Sequence, residues 1–270
     1  MPAVPDLLHR IDAYLDQAPR TGALTEEIGP FTLFLNEGHG WRYYARPTPG
    51  TSGHTVDDVR AVRRRQRDLA QPEAIEWIGE LTPEVDGAAA ADGMVVVAHP
   101  LMVLADDARP QVPHGEVDVA IVEPDDDLAT LSAVAEVAFA SPGTAIGTPG
   151  AAHAIAAAGT QNPDTVAFQR GRMLAGLTVA AAARVSGAIV AVGWHQPLHG
   201  ATEIVGVATL PAFRRRGLGA AVTGTLVADA LARGVETVFL SADDDDVARV
   251  YERVGFRRVG TANAASVPAA

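Results

Sequence analysis

Residues 203–220 read EIVGVATLPAFRRRGLGA. The stretch from Glu203 to Thr209 predicts a strand. Pro211 then makes a turn, an Arg/Gly-rich loop follows, and a helix begins near Leu218. Such a segment is an anion cradle. The first turn of a helix presents unpaired backbone N–H groups and the positive end of its dipole. Gly217 and Gly219 carry no Cβ, so the main chain can approach a bulky anion closely. Arg214, Arg215 and Arg216 add positive charge beside it.

A second informative block lies downstream, VARVYERVGF at residues 247–256. It reads as a helix that carries Tyr251 and closes on Gly255-Phe256. Between and before the blocks, residues 117–122 predict a strand and 125–139 a helix. Residues 141–163 predict loop with a short helix, and 177–185 with 188–193 a hairpin across Ser186-Gly187. Residues 218–233 form a helix ended by Gly234, 235–240 a strand, 245–254 a helix and 256–259 the last strand.

Further upstream, residues 6–18 read as an amphipathic helix with Leu7, Leu8, Ile11 and Leu15 on one stripe. Strands are expected at 31–35 and 41–45 around an Asn36-Glu37-Gly38 turn. Thr55 is the expected N-cap of a helix reaching about Ala70. A strand at 73–78, a helix at 82–91 and strand material at 94–104, interrupted at His99-Pro100, complete this half. Residues 105–116, with two prolines and several charges, are the expected linker. The order helix, strand, helix, Gly, strand occurs at 55–97 and again at 218–259. Two readings stay open here: a degenerate structural repeat, or an order that any α/β chain produces by chance.

The motif Arg214-x-x-Gly217-x-Gly219 resembles the (Q/R)-x-x-G-x-(G/A) acyl-CoA signature of the GNAT N-acetyltransferase superfamily. Its place after a strand and at a helix start is similar too. The block around Tyr251 resembles that family's A-x-x-x-Y-x-x-x-G-F segment. The resemblance covers roughly residues 115–262. It implies an α/β (α+β) fold, a mixed and mostly antiparallel sheet flanked by helices. The domains would be 1–112, a degenerate GNAT-like half without a cofactor site, and 113–270, a catalytic GNAT domain.

The resemblance also implies roles. The strands at Glu203 and Val235 would run parallel and splay, opening a slot for the pantetheine arm of acetyl-CoA or another acyl-CoA. Backbone groups of Val207, Ala208 and Thr209 would pair with that arm. Amides of Arg215, Arg216, Gly217, Leu218, Gly219 and Ala220 would hold the pyrophosphate, with Arg214 nearby. Asp244 stands about where the family has a cofactor-contacting asparagine, in a run of four aspartates that more naturally faces solvent. Tyr251 would protonate the leaving thiolate after direct attack and a tetrahedral intermediate. Glu203, thirteen residues before Arg216, would be the general base. Its competitors are His195 and His199, in a loop at 194–201 that, with Trp194, would line the acceptor side.

Bulk composition narrows the classes. The chain has 270 residues and a formal net charge of −12. An acidic surface argues against nucleic acid and anionic membranes as partners. Cysteine is absent, which excludes a thiol nucleophile and fits a cytoplasmic setting. Lysine is absent as well, which excludes a Schiff base. No metal-ligand spacing or nucleophile elbow is found. The expected activity is N-acyl transfer from a CoA thioester to a small-molecule or peptide amine. Two alternatives remain: a donor carried on the phosphopantetheine of an acyl carrier protein, or a non-catalytic CoA- or partner-binding module.

Overall fold

The structure is a computed structural model and describes residues 4–36, 38, 44–108 and 117–268. It divides into two compact units. Unit 1 holds Met1–Met102, Ser241–Asp244 and Arg258–Ala270; unit 2 holds Val103–Leu240 and Asp245–Arg257. The split at 112/113 therefore gives way to an interleaved division, because the last strand of the chain completes the first unit.

Unit 1 opens with α1 (Val4–Arg20), which buries the stripe Leu7, Leu8, Ile11 and Leu15. The hairpin β1 (Ala23–Ile28) and β2 (Phe31–Asn36) follows, turning through Gly29 at φ +57°. Then come β3 (Ala45–Pro47), α2 (Val56–Asp68), β4 (Ala74–Ile78), α3 (Glu84–Ala91) and β5 (Val95–Leu104). The expected strand at 41–45 and its turn fall mostly outside the described residues, as does the linker from 109 to 116. Strand β5 runs through His99-Pro100 without the expected interruption. Pro100 lacks a donor, but its carbonyl accepts from Ala242 N–H at 3.0 Å.

Unit 2 contains β6 (Asp118–Val122), α4 (Leu128–Phe139), α5 (Ala151–Ala158), α6 (Pro163–Leu174), β7 (Val179–Val185), β8 (Ala188–Leu198), β9 (Ala201–Thr209), α7 (Leu218–Ala232), β10 (Thr237–Ser241) and α8 (Asp245–Glu252). Its strands are ordered β10-β9-β8-β7-β6. Every pair is antiparallel except β9 with β10, which is parallel. Tight two-residue turns, Ser186-Gly187 and His199-Gly200, join β7 to β8 and β8 to β9, with positive φ at all four residues.

The final strand, β11 (Phe256–Ser266), pairs antiparallel with β4 from Ala262↔Ile78 to Ser266↔Ala74. Unit 1 is thus ordered β1-β2-β3-β4-β11-β5. One of its cores packs Phe31, Leu33, Val59, Val62, Ile75 and Trp77 around Ala265 of β11, which is 1% exposed. No helix among the described residues is long and apolar enough to cross a membrane.

Ala265→Asp should place an unpaired carboxylate in that core. The expected loss is on the order of 3 kcal/mol or more of unit 1 stability, read as a lower midpoint in chemical denaturation followed by Trp77 fluorescence. An unchanged midpoint would show that β11 is dispensable to that core.

Candidate acyl-transfer site

The geometry of unit 2 centres on the parting of β9 from β10. Their register covers Thr237↔Ala201, Val238↔Thr202 and Phe239↔Glu203 and then stops. Among the described residues, strand β9 continues to Thr209 with β8 alone beside it. The main chain past Glu203 therefore faces a slot in which an extended ligand can complete the ladder.

Within this run β9 bulges. Val192 pairs with Ala208 but Trp194 with Val205, so β9 fits one extra residue between these pairs. Gly206 lies in the bulge at φ +65°, and a Cβ there would sit 2.8 Å from Trp194 Cε3. Only glycine meets both demands. The indole of Trp194 lies against the bulge.

The cradle follows directly. Residues 211–213 form a short 3-10 turn, and the chain enters α7 through Arg215 at φ +64° and Gly217 at φ +75°. Two left-handed residues, one of them a strained non-glycine, aim this loop. Gly217 is the N-cap of α7 and supplies no side-chain cap to the first-turn N–H groups. Gly219 leaves ordinary space beside Val207 and Thr209, 3.8 Å from a Cβ built there. Arg215 and Arg216 are exposed, and the Arg216 guanidinium lies 5.1 Å from the Phe213 ring centroid. Open amides, glycines and flanking cations have the charge and shape that suit a pyrophosphate.

The remaining sequence-read residues divide. By register, Trp194, Gln196, Glu203 and Val205 share one face of the sheet, with Glu203 directly opposite Gln196. Tyr251 on α8 is 9% exposed, and its ring meets Phe256 edge-on at 6.1 Å. Burial pushes its phenol up to about 12. The hydroxyl has no hydrogen-bond partner among the described residues.

The stretch 194–198 is not a loop, since β8 extends to Leu198 and only His199-Gly200 form the turn. His199 is exposed there. His195 is fully buried on the opposite face, where Nδ1 meets Thr202 Oγ1 at 3.0 Å and Nε2 meets Asp229 Oδ2 of α7 at 2.9 Å. Burial lowers its pKa despite Asp229. With both nitrogens engaged in the interior, His195 has no nitrogen left for an acceptor amine. Asp244 is exposed, in the segment Ser241–Asp244 that belongs to unit 1. Among the described residues no group of His, Asp and Glu is placed to hold a metal ion.

The helix entry at α2 in unit 1 is built differently. Thr55 caps α2, and its side chain and Asp58 form a reciprocal capping box. The Gly53 N–H donates to Glu84 Oε1 at 3.0 Å, and buried His54 meets the same oxygen at 2.9 Å. Strands β3 and β4 are parallel and share the single pair Ala45↔Ile75. Beside that pair, buried Arg46 reaches Asp12 at 3.3 Å, and burial raises Glu76 and Asp12 in spite of Arg46.

Against this geometry, residues 157–256 match the acetyltransferase (GNAT) family. Residues 157–256 thus carry the match to a class whose members transfer acyl groups to amines. Three solved structures show the same fold over nearly the full chain. A GCN5-related N-acetyltransferase from Kribbella flavida is 22% identical with TM-score 0.71, covering 97% of this chain and 96% of its own. One from Sphaerobacter thermophilus is 18% identical with TM-score 0.58, covering 98% and 93%. A tandem GNAT protein from the clavulanic acid biosynthesis pathway is 15% identical with TM-score 0.53, covering 89% and 79%. No curated protein matches the sequence. The N-terminal half thus also has a GNAT-like fold, in keeping with a tandem arrangement.

His54 and main-chain donors hold Glu84 down to about 2. Its folded pKa lies below the unfolded value, so its stabilisation is present above pH 4.5 and is lost as pH falls toward 2. Glu84→Gln should flatten this part of the acid-unfolding curve of unit 1. An identical slope in both proteins would remove Glu84 from the clasp.

Proposed function

We propose that the C-terminal half transfers an acyl group from a coenzyme A thioester to the nitrogen of a small-molecule or peptide amine. The observation that carries this reading is the uncapped N-terminus of α7 at the end of a strand whose edge is open beyond Glu203. Acyl-CoA supplies the acyl group in activated form. Amides of residues 215–220 hold the pyrophosphate, and the exposed Arg215 and Arg216 add charge. Main-chain groups of Val207, Ala208 and Thr209 pair with the pantetheine arm as an added strand. The bulge at Gly206 frees ladder donors to face the thioester oxygen, where negative charge develops.

Two side chains move protons. Glu203 takes a proton from the amine as its nitrogen forms the new bond, on a sheet face shared with Trp194 and Gln196. Tyr251 gives its phenolic proton to the departing sulfur. A phenol raised to about 12 stays protonated at every working pH, and its hydroxyl is committed to no acceptor among the described residues. Asp244 is left out of this assignment, since an exposed acid ahead of α8 suits a helix start better than an anionic ligand.

A second reading changes only the donor. The exposed Arg215 and Arg216 also suit the acidic surface of an acyl carrier protein bearing the same phosphopantetheine arm. Thiol release assayed with acetyl-CoA and with an acyl carrier separates the two. Turnover with the carrier alone would select this second reading.

Gly217→Glu and Gly219→Glu should each abolish CoA binding in calorimetry, because a carboxylate then occupies the cradle. Retained affinity in both would end the donor assignment. Tyr251→Phe keeps the ring packing and removes the proton, so kcat should fall by roughly 10²–10⁴-fold with CoA affinity little changed. Glu203→Gln should cost most at low pH, where the amine is protonated, and recover as pH approaches the amine's own pKa. A pH profile parallel to wild type would assign the base to water or to another group.

A further inference from the structure

Arg214 opens the glycine signature, yet its guanidinium is spent away from the cradle. Nε donates to the Thr209 carbonyl at 3.2 Å, and Nη1 to Ala145 at 3.1 Å. Nη2 donates to Ala138 at 3.0 Å and to Ser141 at 2.6 Å. Ala138 lies in the last turn of α4, where a cation is favoured, and its carbonyl also accepts from Ser141 N–H at 3.2 Å. One planar fork thus fastens the end of β9, the end of α4 and the loop after it. Two main-chain bonds close the same seam: Gly147 N–H donates to Pro211 at 3.1 Å, and Ala212 N–H to Pro149 at 3.0 Å. The fit there is tight, since a Cβ on Gly147 would lie 3.0 Å from Pro211 Cβ.

We infer that Arg214 is a positioning residue that clamps the loop of residues 141–150 to the cofactor cradle, so that donor occupancy sets the order of that loop. Arg214 lies one residue before Arg215 and three before Gly217, and its own main chain forms the start of the cradle. Any ordering of residues 215–220 by a bound pyrophosphate therefore passes to Arg214, and through its side chain to Ala138, Ser141 and Ala145. Only a fork of fixed N–H groups meets four carbonyls from three segments; a lysine ammonium presents one charge centre and cannot span them. The clamp stands on the observed bonds alone, whereas its coupling to the donor rests on the acyl-CoA reading.

Hydrogen exchange read by mass spectrometry on the full chain tests both parts, with CoA as the probe. Without CoA, Arg214→Lys should speed exchange across 141–150 by about tenfold or more, the worth of one charged hydrogen bond. The β7–β8 hairpin at 179–198 should be unchanged. With saturating CoA, the wild-type protein should slow at both 215–221 and 141–150, and Arg214→Lys at 215–221 only. A lysine variant that keeps the wild-type pattern throughout would make Arg214 a simple charge beside the phosphates and overturn the clamp. Should that variant fail to fold, wild type alone decides the coupling. CoA that slows 215–221 but leaves 141–150 untouched overturns it. CoA that slows neither segment removes the donor reading and the coupling with it, while the CoA-free comparison still judges the clamp.

Discussion

A helix N-terminus must find partners for its first N–H groups, and the two halves of this chain meet that demand in opposite ways. In unit 1, Thr55 and Asp58 cap α2, and Glu84 takes the Gly53 N–H. In unit 2, α7 begins at a left-handed glycine with no side-chain cap. A glycine N-cap forgoes only a few tenths of a kcal/mol against Ser, Thr, Asn or Asp. What it gains is a site whose donors are complete only with an outside anion. The open strand edge, the bulge and the flanking arginines acquire a function because these donors are left open.

The rest of unit 2 keeps that opening rigid. Helix α7 is anchored from behind by the buried chain Thr202–His195–Asp229, and Arg233 also grips Asp229. Burial alone would raise Asp229, but Arg233 and His195 together hold it ionised. Gly193 lets α7 lie close on β8, since a Cβ there would sit 2.9 Å from Val222 Cγ1. The helix that presents the cradle is thus fixed to β8 and to β9, whose edge beyond Glu203 borders the slot.

Much of this was legible in the sequence because local chemistry decided it. The strand–loop–helix at 203–220, the Ser186-Gly187 hairpin and the Thr55 cap all sit where turn and cap residues demand. Strand β1 was missed because its residues, ALTEEI, are polar and only partly buried. The histidines at 195 and 199 looked alike in sequence. Strand alternation and the turn at His199-Gly200 send one to the interior and the other to solvent. Arg214 reads from sequence as phosphate-facing charge, since nothing in its neighbourhood reveals that carbonyls 69 or more residues upstream await it. The fate of the last strand was equally hidden, because β-ladder partners distant in sequence leave no local trace.

That last strand bears on how the molecule is made. Residues 4–104 supply the helices and most strands of unit 1 early in synthesis, but β4 meets β11 only after residue 266 has left the ribosome. Until then β4 carries an unpaired edge and the core around Trp77 lacks Ala265, a state open to off-pathway pairing with other chains. Most of unit 1 is made first, yet its sheet can be completed only once β11 has been made.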